Sequence, residues 1–392
     1  MSTFNPLAWF RKKKKKKQDD NDQRASAPSM PTLPKVRARP LTAVPPSPEA
    51  TANSALFQRL PPEIRRYILT YAFGNQTMHL DMRLQHPRKR RKEEVKSIAP
   101  EHANSNLPRD TSKPAEWQWR GSICHRTSVR WDVHPRFCYR VYGTEPWNDR
   151  CHDLCTAAQC SYWPGEVPEK CFVGVMGWLL TCRQAYSEGI EVLYATNQFH
   201  IRGTYLLRQL PDLLLASRLA AIRTVELLWD IHPWSDTLPL NNNKTGNYPP
   251  DSDMRGFCSS LEALPRILRN LEFLFISLQG WLLPPAGIML ESDKYFHATE
   301  NLLLCIDGMV RKLTRLTDCR VALPWSCYNV WKLKTTGKST QKLLSEIREP
   351  EILWRDVPVD EDSQKMEAVH HVKGYWICLG EMNVHWAWGS EL

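Results

Sequence analysis

A chain of 392 residues with 42% apolar residues is long enough for two or three domains, or for one large domain with a tail. Its formal net charge is +10, but residues 1–50 hold 11 Lys/Arg against four Asp/Glu, so +7 sits in the N-terminal segment and +3 is left for everything else. A basic folded surface for nucleic acid therefore does not follow from the overall charge, and the longest apolar stretch, CFVGVMGWLL at 171–180, is about half of the roughly 20 residues that a bilayer span needs.

The start of the chain, MSTFNPLAWFRKKKKKK, places its basic block after the apolar part, the reverse of a secretory signal. Ser2 is incompatible with myristoylation and the ending WGSEL is no prenylation site. Twelve cysteines without a signal peptide read as reduced thiols, in a nuclear or cytoplasmic protein. Residues 1–52 read as a disordered basic tail, rich in Pro, Ser and Ala and short of large apolar residues. The run Arg11 to Lys17 has three readings: a solvated tail, a nuclear localisation signal, or a membrane-surface anchor assisted by Phe4, Leu7, Trp9 and Phe10.

LPPEIRRYILTYAFG, residues 60–74, is the first stretch with a helical pattern. Pro62 suits a first turn, Glu63 suits the positive end of the helix dipole and Gly74 is a stop signal. Ile64, Tyr67, Ile68 and Tyr71 fall at i, i+3, i+4 and i+7 and make one apolar stripe, with Glu63, Arg65, Arg66 and Thr70 opposite. The stripe has two readings, a core face packed on a later helix at 176–195 or a docking face for a partner.

Met78, Leu80 and Met82 alternate as a strand, and residues 86–115, with the basic run PRKRRKEEVK, read as a polar loop. Residues 116–171 crowd tryptophans and cysteines and read as short strands and loops. One helix is expected over about 176–195, where Leu179, Cys182, Tyr186, Ile190 and Leu193 recur, followed by a strand at Phe199 and Ile201. Asn197 reads as a left-handed stop between them. A leucine-rich helix followed by a strand then occurs three times: helices at about 206–219, 259–269 and 298–313, strands at 222–229, 271–278 and 316–323. This fits either a helix–strand solenoid or a mixed sheet with helices on one face. The loop 239–253 reads as a surface insertion, and GYWICLGEMNVHWAWG near the end as one or two strands.

Candidate chemistry is sparse. Cys151, Cys155, Cys160 and Cys171, with His152, Cys124, His125 and Cys138 nearby, lack the paired C-x2-C knuckles of zinc sites and read as buried thiols beside the tryptophans, with structural zinc the sharper reading. No nucleophile elbow, zincin, phosphate-loop or dinucleotide motif occurs. Glu188 reads as a solvated or salt-bridged carboxylate rather than a general base. No catalytic residue, no metal and no cofactor is expected.

LPPEIRRYILTYAFG together with LLTCRQAYSEGIEVLYATNQFHI resembles a group of filamentous-fungal proteins, those catalogued as domain of unknown function 7730. The residues that carry the resemblance are Leu60, Pro61, Glu63, Ile64 and Arg65, then Leu179, Leu180, Cys182, Arg183, Tyr186, Glu188, Leu193, Tyr194, Asn197 and Phe199. It covers roughly residues 55–235 and implies no activity. The first motif also resembles the F-box, which implies docking on the Skp-type adaptor of a cullin ubiquitin ligase through Leu60, Pro61, Ile64 and Ile68. An F-box is a compact run of about forty residues, whereas here the second motif comes about 100 residues later.

The expected protein is thus α+β: a basic tail at 1–52, an F-box-like domain at 53–235 with a Trp/Cys-rich insert at 75–171, and irregular helix–strand repeats with C-terminal strands at 236–392. Its expected function is that of a non-enzymatic interaction module with a protein partner, for which the F-box resemblance implies the role of substrate receptor in a cullin ubiquitin ligase. A nuclear nucleic-acid-associated or zinc-stabilised factor is the alternative, with nucleic acid the less expected partner.

Overall fold

The computed structural model of the chain describes residues 28–34, 51–87, 89, 109–125, 146, 171–202, 204–230, 254–279, 292–336, 352–357 and 374–380. The lysine run, the second basic run from Arg90 onward, Cys138, Cys151, Cys155, Cys160 and the loop 239–253 lie outside the described residues.

Helix α1 (Ala55–Arg59) leads through Leu60 and Pro61 into α2 (Pro62–Phe73). Strands β1 (Thr77–Gln85) and β2 (Glu116–Ile123) follow, then α3 (Met176–Leu179) and α4 (Arg183–Ala195). The single helix expected at 176–195 is two helices. Cys182 adopts an extended conformation and its sulfur accepts from the Ala185 amide, 3.4 Å away, so it caps α4 rather than continuing α3.

Helix–strand units then succeed one another: β3 (Gln198–Arg202), α5 (Thr204–Leu213), α6 (Ala216–Leu219), β4 (Thr224–Asp230), α7 (Met254–Ile267), β5 (Phe273–Gln279), α8 (Ser292–Lys312) and β6 (Asp318–Leu323). The helix expected at 206–219 is divided, because Pro211 lies in the last turn of α5 and Leu215 is extended. Helix α9 (Trp325–Thr336) and strand β7 (Ile352–Asp356) have no counterpart in the sequence reading; β8 (Gly374–Leu379) does.

The described strands form one open, mixed, eight-stranded sheet in the order β2-β1-β3-β4-β5-β6-β8-β7. Its six inner strands run parallel, and the two outer strands, β2 and β7, are antiparallel to their neighbours. From β3 to β6 every strand pairs with the next one in the chain, so the repeat of the sequence is a stepwise advance across the sheet. Helices α5, α7, α8 and α9 form a row in the same order, each packed on the next. An open sheet with helices covering one face is the outcome, of the two readings the repeat allowed. The expected domain boundary at 235 falls between β4 and β5, which are hydrogen-bonded neighbours.

The core lies between sheet and helices. Alternate strand residues point into it: Phe199 and Ile201, Val225, Leu227 and Trp229, Leu274, Ile276 and Leu278, Val321 and Leu323, Tyr375 and Ile377. They meet Leu206, Leu207 and Leu210 of α5, Phe257, Leu261 and Leu264 of α7, and Leu302, Leu303 and Ile306 of α8.

A polar cluster holds the β7–β8 edge to α8. Arg355 of β7 donates to both oxygens of the fully buried Asp307, at 3.1 and 2.9 Å, and to Glu300. The Tyr375 hydroxyl donates to Asp307 at 2.8 Å, and the Trp331 indole to Glu300 at 2.6 Å. Burial raises the Tyr375 phenol well above its ordinary range, helped by the Asp307 charge.

Two expectations are corrected. Cys258 of α7 and Cys305 of α8 are disulfide-bonded, their Cα atoms 5.5 Å apart on adjacent helices, whereas all thiols were expected to be reduced. Residues 28–34 of the supposed tail lie against the fold, because Met30 supplies an apolar side chain that packs on the core. Of the other described cysteines, Cys124, Cys171, Cys319, Cys327 and Cys378 are buried and Cys182 is half-buried.

Removing Asp307 leaves Arg355 and the Tyr375 hydroxyl short of a buried partner. Asp307→Ala is expected to destabilise the protein by about 3 kcal/mol in urea unfolding. A loss below about 1 kcal/mol would show that the cluster does not hold the edge. Reduction of the disulfide, which spans 47 residues, is expected to lower stability by about 4 kcal/mol. Non-reducing peptide mapping of the native chain checks the bond itself.

Candidate docking surface

Helix α2 does not bury the stripe that its periodicity suggested. Ile64, Tyr67, Ile68 and Tyr71 are 47, 72, 41 and 87% exposed, and the buried residues of α2 are Arg65, Leu69 and Phe73. The core-face reading is therefore corrected: Leu69 and Phe73, with Val175, Leu179, Ile190 and Val192, form a second, smaller core between α2, α3 and α4. Among the expected contact residues, Pro61, Ile64 and Ile68 are exposed and Leu60 is half-buried. Met176 of α3 and Leu180, which follows it, add exposed apolar area to the same helical unit.

A buried arginine turns the helix this way. The Arg65 guanidinium donates from Nε and Nη2 to the two carboxylate oxygens of Glu188 on α4, at 2.9 and 2.7 Å. Its Nη1 donates to the carbonyl of Leu60 at 2.5 Å and to that of Phe57 at 3.4 Å, and it lies over the Phe57 ring. The guanidinium fork thus ties α1, the Leu60–Pro61 turn and α4 together, which a point charge could not do. Gln184 also donates to Glu188, at 3.0 Å. Partial burial pushes the Glu188 carboxyl up, but the bonds from Arg65 and Gln184 outweigh it and leave the carboxyl below its ordinary value. The expectation that Glu188 is a salt-bridged carboxylate agrees with this geometry.

Asn197 staples the far ends of the two helices. Its side-chain amide donates to the carbonyls of Phe73 and Leu193, at 2.9 and 3.0 Å, and its oxygen accepts from the Gln76 amide at 2.9 Å. It works through its side chain, not as a left-handed stop; that conformation falls on Asn75, at φ 53. Gly74 does end α2 as expected, without adopting the left-handed conformation. It is extended, and a Cβ there would meet Thr196 Oγ1 at 2.5 Å and the Thr70 carbonyl at 2.8 Å. The two sequence motifs thus form one unit, in which Arg65, Cys182, Glu188 and Asn197 are structural.

The sheet face away from the helices holds a row that the sequence reading did not find. Ser122, His79, His200, Glu226, Phe275, Arg320, Trp376 and Trp354 occupy one register across all eight strands. His200 Nδ1 lies 2.9 Å from Glu226, Gln198 also bonds Glu226, and the rings of His79 and His200 meet edge to face. A shallow groove of about 350 Å³ runs past Gln198, Glu226, Phe273, Phe275, Asp318 and Arg320. A histidine oriented by a carboxylate is half of a catalytic dyad, but His200 is fully buried and a general base must reach a substrate proton. Of the metal candidates, Cys124, His125 and Cys171 are buried, and among the described residues no group of three potential ligands comes together.

Helices and a mixed sheet, joined by a helical unit with an exposed apolar stripe, define the class of the protein. The chain belongs to the family described as domain of unknown function DUF7730, whose model matches residues 49–343. No curated protein and no solved structure matches it. The match begins just before α1 and ends beyond α9, so β7, β8 and residues 28–34 lie outside it. Among the described residues no helix is long and apolar enough to cross a membrane.

The Arg65–Glu188 pair has a pH signature. A carboxyl held below its unfolded value stabilises the fold above about pH 4.5, and that contribution is lost as pH falls through the lowered value. Glu188→Gln is expected to cost about 2 kcal/mol at pH 7 and to flatten the stability profile between about pH 5 and 3. Urea unfolding across that range checks both; an unchanged profile would remove the pair from the account.

Proposed function

We propose that this protein is a non-enzymatic interaction module, nuclear or cytoplasmic, that docks on a partner protein through α2. The partner in this reading is a Skp-type adaptor of a cullin ubiquitin ligase, α1–α2 with α4 is the F-box-like part, divided in sequence by a Trp/Cys-rich insert, and the helix–strand repeats receive the substrate. The observation that carries the reading is the exposed stripe Ile64, Tyr67, Ile68 and Tyr71 on a helix whose other side is fixed by Arg65. Four large apolar side chains at helical spacing suit a helix that lays one face into a partner's groove. The long gap in sequence between the two motifs is no gap in space, since α2 packs on α4.

The test is binding of the purified full chain to the fungal adaptor. Ile64→Ala with Tyr71→Ala, at exposed positions, is expected to change stability by about 0.5 kcal/mol or less per site. The same pair is expected to weaken adaptor binding at least about tenfold, a loss of about 1.4 kcal/mol. Leu60→Ala with Pro61→Ala is expected to act in the same direction. Absence of adaptor binding by the wild-type chain would end the ubiquitin-ligase reading.

A further inference from the structure

Pro28, Pro31 and Pro34 recur at every third position of the segment PSMPTLP, which forms neither helix nor strand. The segment is held at two points that are far apart in the chain. The Trp117 indole of β2 donates to the Pro28 carbonyl at 2.8 Å. The Leu33 amide donates to the Asp212 carbonyl at 2.7 Å, in the last turn of α5, where a helix leaves carbonyls without an intrahelical donor. Between these points Met30 and Leu33 are half-buried, and Met30 packs on the main core; the other five residues are exposed. A short bond from the Thr32 amide to the Met30 carbonyl turns the segment at Pro31.

An indole N–H donated to a carbonyl of a proline-rich segment is the chemistry by which aromatic surfaces recognise extended proline peptides. Proline limits the freedom such a segment loses on binding. The residues that hold it belong to the region matched by the family model, and the segment itself does not. Two hydrogen bonds and two half-buried side chains are a weak grip for seven residues. The segment stays in place because it is tethered to the body, which sets a high effective concentration.

We propose that the surface between Trp117 and the end of α5 is a peptide-binding site for a proline-containing segment turned at its middle proline, occupied in cis by this chain's own residues 28–34 as a displaceable strap. A partner peptide of the same pattern binds only by displacing the strap, so the strap is autoinhibitory.

The probe is a fluorescent synthetic peptide of residues 26–36, titrated by anisotropy into the full chain. Met30→Asp with Leu33→Asp releases the strap, and Met30→Ser with Leu33→Ser is a second release variant. Both are expected to keep the wild-type circular dichroism and to bind the peptide at least tenfold more tightly than the wild-type chain does. Trp117→Phe in a release variant removes the indole donor and is expected to weaken peptide binding severalfold with the melting temperature unchanged. Release variants that bind no better than wild type would overturn the proposal. So would unfolding of both, which would make residues 28–34 an integral part of the core.

Discussion

The Arg65 guanidinium sits buried between two helices whose contact residues are 123 positions apart in sequence, with its Nε–Nη2 edge engaged by the Glu188 carboxylate and its Nη1 by the carbonyls of Leu60 and Phe57. Burying a charge demands a partner and a full set of hydrogen bonds, and a helix can satisfy that demand in one orientation. With Arg65 turned inward, Leu69 and Phe73 turn inward too, one and two turns further on. Ile64, Tyr67, Ile68 and Tyr71 are then left outside. The exposed apolar face of α2 is a consequence of where its arginine must go.

The same unit is continuous with the sheet. Asn197 closes α4 against the end of α2 and is followed at once by β3, while Gly74 lets the chain pass Thr196 on its way into β1. β1 and β3 are thereby started side by side, and from β3 onward each helix carries the chain to the next strand. At the opposite edge, Arg355 and Asp307 do for the β7–β8 pair what Arg65 and Glu188 do for α2. In both places an arginine bound to a carboxylate on a helix fixes the facing of a neighbouring element.

Much of the fold was legible because strands β4, β5 and β6 and helices α7 and α8 carry runs of leucine, isoleucine and valine bounded by polar turns. Facing was harder to read than location, although α9 and β7 left no legible signal. The stripe on α2 looks like a core face, and nothing local reveals that Arg65 displaces it, since its partner lies far along the chain. Cys182 fits the apolar spacing of a long helix but is a cap, because its extended backbone and sulfur serve the next helix. β7 escaped notice because Arg355 stands at a core-facing position. The register row from His79 to Trp354 could not be read at all, as each strand contributes only one member. Met30 was hidden among prolines, where a single apolar residue carries no pattern.

A helical unit that shows its apolar side, fixed from behind by an ion pair, is the basis of the proposed interaction role. Hydroxyl-radical footprinting of the native full chain tests it most directly, since aromatic and aliphatic side chains react according to their exposure. The account predicts strong modification of Tyr67 and Tyr71, measurable modification of Ile64 and Ile68, and protection of Leu69 and Phe73. Protection of the two tyrosines with modification of Leu69 and Phe73 would contradict it, because α2 would then face the opposite way.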